Sequence, residues 1–249
     1  MKKNELIDKY FTLVMEEDLC SSPANLRFYL NYLFKKISFD KKKMLDIGSG
    51  YGICSFYAAC IGADEVICLE PELAGSSQGV IEKFNKLKLG LKIGDKIKLE
   101  STTMQNFDYK GKKFDIILLN NSINHLNEES CINLKHDRHA MEIYMKIFCK
   151  LSNLASIETK LIITDCSRYN FFALLNLKNP FAPSIEWHKH QSPKHWAKLL
   201  SNVGFCNPKI RWTSFNQLRS IGRLLFGNKF ASYFFHSHFC LIMEKNIWG

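Results

Sequence analysis

The sequence predicts an α/β fold in three layers, doubly wound around a mostly parallel, seven-stranded sheet with an antiparallel C-terminal strand. Two observations lead to this fold class. Short apolar runs alternate with longer amphipathic segments along most of the chain, which is typical of a parallel sheet covered by helices. Two helical segments precede the first strand, and an aromatic insertion follows the fifth.

The elements up to the fifth strand follow from apolar periodicity and from capping residues. Apolar spacing predicts a helix over residues 4–17. Ser22 as N-cap and Pro23 at the first helical position predict a second helix over residues 23–36. The alternation that follows predicts strands at residues 44–47, 66–69, 96–100, 114–119 and 161–165, and helices at residues 53–61, 75–89 and 137–152.

The alternation breaks after Asp165. Residues 169–191 are aromatic, contain prolines and are too long for an ordinary connection, so they predict a lid insertion. A helix from Pro193 to Gly204 follows, and then strands at residues 206–213 and 234–244 flank a basic helix near residues 216–226. We expect one domain over residues 1–249, made of an N-terminal helical cap (1–38), a cofactor-binding core (39–168), a lid or acceptor segment (169–191) and the C-terminal part of the sheet (192–249).

Composition limits the class of protein. With 249 residues and 46% hydrophobic content, the chain can bury a sizeable core. The nine cysteines are scattered, which favours reduced thiols in a cytoplasmic protein over a disulfide framework. The N-terminal segment carries acidic residues, unlike a signal peptide. The uncharged run at residues 230–243 is shorter than a membrane span, so we expect no transmembrane segment.

The formal net charge of +10 leaves two interpretations open. It favours contact with phosphates, acidic sugars or an anionic membrane surface, but a solvated, lysine-rich surface is the preferred interpretation. Arg211, Arg219 and Arg223 present the same choice between binding an acidic acceptor and lying on a solvated face. The sequence does not indicate the oligomeric state.

A glycine-rich turn follows the first predicted strand. It reads Asp46-Ile47-Gly48-Ser49-Gly50-Tyr51-Gly52, and its glycines allow backbone angles and close ligand approach that side chains forbid. Ile53 stands where the nicotinamide-binding spacing GxGxxG would require the third glycine. Glu70 ends the next strand, a position suited to accepting the hydroxyls of a ribose. The glycine-rich turn and Glu70 together therefore predict a nucleoside-containing cofactor.

This combination resembles class I S-adenosylmethionine-dependent methyltransferases. The resemblance extends to the strand that reads Phe114 to Asn120, the strand at residues 161–165 and the late helix containing Trp196, and it covers about residues 24–245. It implies S-adenosyl-L-methionine as cofactor. Thr103 stands where an aspartate is frequent in the family. The implied cofactor-binding residues are Asp46, Gly48, Ser49, Gly50, Gly52, Glu70, Pro71, Thr103, Met104 and Asn120.

Three histidines are candidate general bases, because imidazole titrates near neutrality. His188 and His190 lie in the segment between the fifth strand and the next helix, where the resemblance implies acceptor contacts, and His125 follows the fourth strand. Each could instead be a packing or surface histidine. His136 and His139 raise the alternative of a metal site, but the spacing lacks thiolates and carboxylates, and we expect no metal.

The predicted function is methyl transfer to an oxygen, nitrogen or sulfur atom of a small-molecule acceptor, with a sugar or related biosynthetic hydroxyl as first choice. Nucleic acid is a less favoured acceptor, because no Asn-Pro-Pro-Tyr-like motif follows the fourth strand, where Asn120-Asn121-Ser122-Ile123 stands. A module that binds the cofactor without catalysis, and a nicotinamide oxidoreductase, are the remaining alternatives.

Overall fold

The computed structural model describes residues 3–71, 79–213 and 215–246. Its strands are β1 (Lys43–Ile47), β2 (Glu65–Leu69), β3 (Ile97–Glu100), β4 (Phe114–Asn120), β5 (Ala155–Cys166), β6 (Phe205–Trp212) and β7 (His238–Lys245). Its α-helices are α1 (Lys3–Glu16), α2 (Pro23–Leu33), α3 (Ile53–Ile61), α4 (Val80–Leu91), α5 (Glu128–Asn133), α6 (Arg138–Leu154), α7 (Phe171–Leu174), α8 (Pro193–Ser201), α9 (Arg219–Phe226) and α10 (Lys229–Phe234).

The predicted fold class is confirmed. In the described part of the chain the strands form one mixed sheet in the order β3-β2-β1-β4-β5-β7-β6. Strands β1 to β4 are parallel, and β7 pairs antiparallel with both β5 and β6. The antiparallel C-terminal strand expected from the sequence is therefore present. Among the described residues, no helix is long and apolar enough to cross a bilayer.

The chain divides into two compact units, residues 1–119 and residues 120–249. In the first unit, α1 and α2 pack on α3 through aromatic side chains. The Tyr10 hydroxyl donates a hydrogen bond to the Ile53 carbonyl at 2.9 Å, and the rings of Tyr10 and Phe34 each contact Tyr57. These contacts hold the first turn of α3, and with it the glycine turn, against β1 and β2.

In the second unit, α6 and α8 carry the core contacts. Asp137 caps α6 by accepting a hydrogen bond from the His139 amide at 2.8 Å. Tyr144 and Phe148, one turn apart on α6, both pack on the fully buried Trp196 of α8. Because α8 follows the lid segment directly, this core fixes one end of that segment. The single-domain assignment stays a prediction.

Several element boundaries differ from the sequence expectations. The strand expected over residues 234–244 begins at His238, because residues 229–234 form α10, capped by Asn228, whose side chain accepts from the Ala231 amide at 2.9 Å. Helix α5 was not expected, although Asn127 followed by two glutamates is a capping signal. The helix expected from residue 75 is described from Val80, and its expected first turn lies outside the described residues.

Candidate active site

The glycine turn after β1 is held by backbone hydrogen bonds to the end of β2. The amides of Gly48 and Ser49 both donate to the carbonyl of Leu69, at 2.9 and 3.1 Å. Gly48, Gly50 and Gly52 all have positive φ angles of 71°, 53° and 75°. Positive φ angles define a left-handed backbone conformation, which glycine adopts without a steric cost. The turn therefore places a row of small residues where the first two strands end.

Gly52 shows why a side chain is excluded from the turn. It is the N-cap of α3, and a Cβ atom at this position would lie 3.0 Å from the ring of Phe84 and 3.3 Å from that of Phe56. Both rings are fully buried. The glycine is therefore required by backbone angle and by packing together.

Glu70 closes the turn from the other side. Its Oε2 accepts a hydrogen bond from the Gly50 amide at 2.8 Å, and only 6% of the residue is exposed. A carboxylate that accepts from a backbone amide makes a short, charge-assisted hydrogen bond. The acid that the sequence assigns to ribose binding thus also fixes the conformation of the glycine turn.

Asp46 lies beneath the turn and is incompletely satisfied. Its Oδ2 accepts from the Ser55 hydroxyl at 2.6 Å, whereas its Oδ1 is buried and has no hydrogen-bond partner among the described residues. Burial, with a further contribution from the charge of Glu70, raises the pKa of Asp46 to about 7. A buried carboxylate oxygen without a partner is costly unless a ligand or water completes it. It therefore fits the edge of a polar ligand site.

Thr103 and Met104, two of the implied cofactor-binding residues, lie in a separate turn after β3. The Thr103 hydroxyl accepts from the Asn106 amide at 3.3 Å, so its side chain stabilises its own turn. Met104 is buried, with 2% of its surface exposed. Pro71 is the last residue described after β2. The structure thus bonds Glu70 to Gly50 of the glycine turn and Asp46 to Ser55 of α3. The cofactor-binding roles of these residues and of Pro71, Thr103 and Met104 stay predictions.

In the second unit, Asn120 is bound at the end of β4. Its Oδ1 accepts from the Thr164 hydroxyl of β5 at 2.7 Å, and the amide of the next residue, Asn121, donates to the Thr164 carbonyl at 2.9 Å. These bonds fit the alternative that Asn120 caps the end of the strand, which the sequence left open. The role of Asn120 in cofactor binding stays a prediction.

His190 contacts a buried carboxylate. Its Nδ1 lies 2.8 Å from Oδ1 of Asp165, the penultimate residue of β5, and the side chains are 14% and 2% exposed. The Asp165 Oδ1 also accepts from the Cys166 amide, and its Oδ2 is buried with no partner among the described residues. Burial raises the pKa of Asp165. A carboxylate at Nδ1 orients the ring and leaves Nε2 available for proton transfer.

His188 lies in different surroundings, two residues away. It lines a cavity of about 530 Å³ within the second unit, together with Arg168, Trp187 and Tyr233. Arg168 donates to the Gln191 side chain at 3.3 Å, which orients the guanidinium at this cavity. The two histidines that the sequence could not tell apart are therefore distinct: His190 is held by a buried acid and His188 faces a cavity.

His125 forms a local surface pair. Its Nδ1 lies 2.5 Å from Oε1 of Glu128 in the first turn of α5, and its side chain is 57% exposed. Glu128 also pairs with Lys189 at 3.4 Å. These contacts are those of a polar pair at the start of a helix, and His125 is more exposed than His190. In the described ranges no group of three or more His, Cys, Asp or Glu residues could hold a metal ion.

His238 was missed by the sequence reasoning. It begins β7 beside Cys166 of β5, its Nδ1 lies 3.0 Å from the Thr213 hydroxyl, and its Nε2 lies 2.9 Å from Oδ1 of Asn121. Burial, and then the charges of His236 and His190, lower the pKa of His238 to about 3. It is therefore a neutral hydrogen-bonding residue near the end of β5. No local pattern identifies it, since its partners come from three separate segments.

Comparison with solved structures identifies the fold. No protein-family model and no curated protein sequence matches the chain. A SAM dependent methyltransferase from Aquifex aeolicus superposes with a TM-score of 0.60 at 11% identity, covering 93% of this chain and 97% of that one. A protein from Listeria monocytogenes, provisionally assigned as an S-adenosylmethionine dependent methyltransferase, gives 0.60 at 11% identity, covering 90% and 100%.

The same architecture also occurs in a protein named for a different reaction. The [4+2]-cyclase SpnF superposes with a TM-score of 0.57 at 10% identity, covering 88% of this chain and 80% of that one. At such identities the likeness concerns architecture, and chemistry has to be argued from the residues of the site. The chain has the Rossmann-like fold of class I S-adenosylmethionine-dependent methyltransferases.

Proposed function

We propose that this protein transfers a methyl group from S-adenosylmethionine to a small-molecule acceptor. The observation that carries the proposal is the closed glycine turn, with Gly50 bonded to Glu70 above the unsatisfied Oδ1 of Asp46, in a chain with the methyltransferase fold. The buried oxygen and the small residues around it suit a polar, nucleoside-containing ligand.

The residues of the first unit would hold the cofactor. The glycine turn, residues 48–52, would lie against its methionyl part, Glu70 would accept from the ribose hydroxyls, and Thr103 and Met104 would border the adenine. When bound, the cofactor supplies an electrophilic methyl group on a sulfonium. The protein then has to align the acceptor and, for a hydroxyl acceptor, remove its proton.

His190 is the proposed general base. Its contact with Asp165 fixes the ring, and the buried acid stabilises the imidazolium that forms when Nε2 takes a proton. His188 and Arg168 line the neighbouring cavity and would bind the acceptor there. A base of this kind favours a hydroxyl acceptor, such as a sugar or a related biosynthetic alcohol, since amines and thiolates need less help.

Calorimetric titration with S-adenosylmethionine, S-adenosylhomocysteine and, as control, NADH tests the proposal. We expect S-adenosylmethionine and S-adenosylhomocysteine to bind with micromolar affinity, about −8 kcal/mol, and we expect no binding of NADH. Binding of NADH alone would assign the chain to the oxidoreductases. Cofactor binding without methylation across an acceptor screen that includes RNA would favour a non-catalytic module or, as the SpnF likeness allows, a different reaction on the same fold.

A further inference from the structure

The second unit exposes large apolar side chains on and next to three short helices. Ile221, Leu224 and Leu225 occupy positions i, i+3 and i+4 of α9, so they share one side of the helix, and they are 71%, 84% and 57% exposed. Leu174 of α7 and Leu177 after it are 73% and 55% exposed, and Phe230 of α10 is 76% exposed. These six residues are called the apolar face below. Contiguous exposed apolar surface marks an interaction site more often than a neutral surface.

The apolar face is supported from beneath by aromatic packing. Phe226 of α9 contacts Phe235 at a ring distance of 5.2 Å, and Phe181 contacts the same ring at 5.0 Å. Phe234 of α10 contacts Phe171 of α7 at 5.1 Å. Helix α10 therefore packs against α7 and α9, and half-buried aromatic rings make these contacts. The six side chains of the apolar face stay exposed on the same group of helices.

The same region is strongly basic. Residues 187–243 contain eight Lys or Arg residues and no Asp or Glu. Arg219 and Arg223 lie on α9, Lys229 begins α10 and the exposed Lys178 lies between α7 and α8. Arg223 lies two residues after Ile221, on the side of α9 opposite its apolar residues. A helix with an apolar side and a basic polar side has the composition of one that lies in the headgroup region of a bilayer.

We propose that the apolar face docks on an anionic phospholipid bilayer. The aliphatic side chains would enter the acyl boundary, and the exposed Lys178 and Lys229 would lie among negatively charged headgroups. A second copy of this chain fits less well, because it would bring the same positive charge against the basic helices. Nucleic acid fits less well too, since five of the six side chains are Ile or Leu and only Phe230 offers a ring on which a base could stack.

The candidate acceptor cavity borders this face. Leu174 and Leu177 belong to the apolar face and also line the cavity that contains His188 and Arg168. Docking would therefore bring the cavity next to the membrane surface. With the proposed methyl transfer, on which this consequence rests, an amphiphile embedded in the bilayer would be the acceptor with the shortest route to the site.

Vesicle co-sedimentation of the full chain without cofactor tests the docking. The probes are vesicles of phosphatidylcholine alone and of phosphatidylcholine mixed with phosphatidylglycerol. We expect binding to the anionic vesicles, weakened by salt because headgroup attraction is screened. Absence of binding to anionic vesicles by the folded protein would overturn the proposal. Because no cofactor is present, this outcome is independent of the methyl-transfer assay.

Matched variants locate the contact. The double variant Ile221→Ser/Leu224→Ser should bind anionic vesicles at least about tenfold more weakly. The control Ile157→Ser/Leu89→Ser removes an equal pair that is 61% and 77% exposed elsewhere, and it should bind like the wild type. Thermal unfolding verifies that both variants are folded. If Ile221→Ser/Leu224→Ser and Ile157→Ser/Leu89→Ser bind anionic vesicles equally well, or equally weakly, the assignment to the apolar face is overturned.

Charge reversal provides an independent arm. Lys178→Glu/Lys229→Glu should weaken anionic-vesicle binding by about tenfold or more, whereas Lys35→Glu/Lys98→Glu, with the same change of net charge, should have a smaller effect. Sedimentation velocity gives the competing outcome. Dimerisation that Ile221→Ser/Leu224→Ser abolishes, without vesicle binding by the wild type, would assign the face to a second copy and overturn the membrane proposal.

Discussion

Oε2 of Glu70 accepts a hydrogen bond from the backbone amide of Gly50 at 2.8 Å, across 20 residues of sequence. This bond joins the end of β2 to the turn after β1, so the acid predicted to bind a ribose also holds the backbone predicted to lie against the same ligand. A change at Glu70 should therefore affect the cofactor site twice, through the lost acceptor and through the loosened turn.

Glu70→Ala should weaken the binding of S-adenosylhomocysteine about 10- to 100-fold, which is the range expected for losing a hydrogen bond to a charged group. Calorimetric titration measures the change. Glu100→Ala is the matched control, because Glu100 ends the neighbouring strand β3 with an exposed side chain. Wild-type affinity in Glu70→Ala would contradict the assigned role.

The raised pKa of Asp46 predicts a pH dependence of folding stability. Burial raises this pKa from 3.8 to about 7, so the folded protein holds a proton that the unfolded chain releases. The stabilising contribution is complete below about pH 4 and is lost as the pH rises through about 7.

Denaturant unfolding of the wild type and of Asp46→Asn between pH 5 and pH 8 measures this contribution. Over this interval the free energy of unfolding of the wild type should fall by on the order of 3 kcal/mol relative to that of the variant. Because other titrating groups, the histidines included, are shared by both proteins, the comparison removes their effect. A difference that does not change with pH would mean that Asp46 is ionised throughout.

Gly52→Ala should destabilise the first unit by more than its backbone angle alone requires. Gly52 and Gly111 have the same φ of +75°, but a Cβ at Gly52 would meet Phe84 at 3.0 Å, whereas a Cβ at Gly111 meets nothing within 4 Å. In both alanine variants the left-handed backbone should lower the free energy of unfolding by about 1–2 kcal/mol. Gly52→Ala should lower it further, because the added Cβ clashes with Phe84.

Chemical denaturation compares the two alanine variants, and Gly52→Ala/Phe84→Leu provides a rescue. The smaller side chain at residue 84 should recover part of the additional loss relative to Phe84→Leu alone. Equal destabilisation of Gly52→Ala and Gly111→Ala would show that the turn adjusts to accommodate a side chain.

His190→Ala should lower kcat about 100- to 10,000-fold, the range for losing a general base, while affinity for S-adenosylhomocysteine stays unchanged. His188→Ala should act mainly on the KM for the acceptor, because His188 lines the cavity and has no contact of the Asp165 kind among the described interactions. The opposite division between the two histidines would assign the base to His188.

Asp165→Asn separates positioning from proton transfer. The amide can still contact His190 but does not stabilise an imidazolium, so kcat should fall while KM stays close to that of the wild type. Cofactor titration and thermal unfolding serve as controls, because Asp165 is buried in β5. Full activity in Asp165→Asn would remove Asp165 from the mechanism.

The late helices show where sequence reasoning stops. The run Tyr233-Phe234-Phe235 is apolar and aromatic, as in a strand, and the strand was expected to begin at residue 234. The structure places Phe234 in α10, because Asn228 caps that helix and Phe234 packs on Phe171. Short apolar runs do not distinguish a helix from a strand, and a contact 63 residues away in sequence decides between them.

The sequence by itself determined the α/β class, the glycine turn and the acid at the end of β2, because periodicity, glycines and capping residues act over a few neighbours. Tertiary structure alone distinguished His190, held by Asp165, from the cavity-facing His188, and it identified His238. It also decided that the leucines of α7 and α9 face solvent. Such outcomes depend on which distant segments share a surface, and no local pattern encodes that.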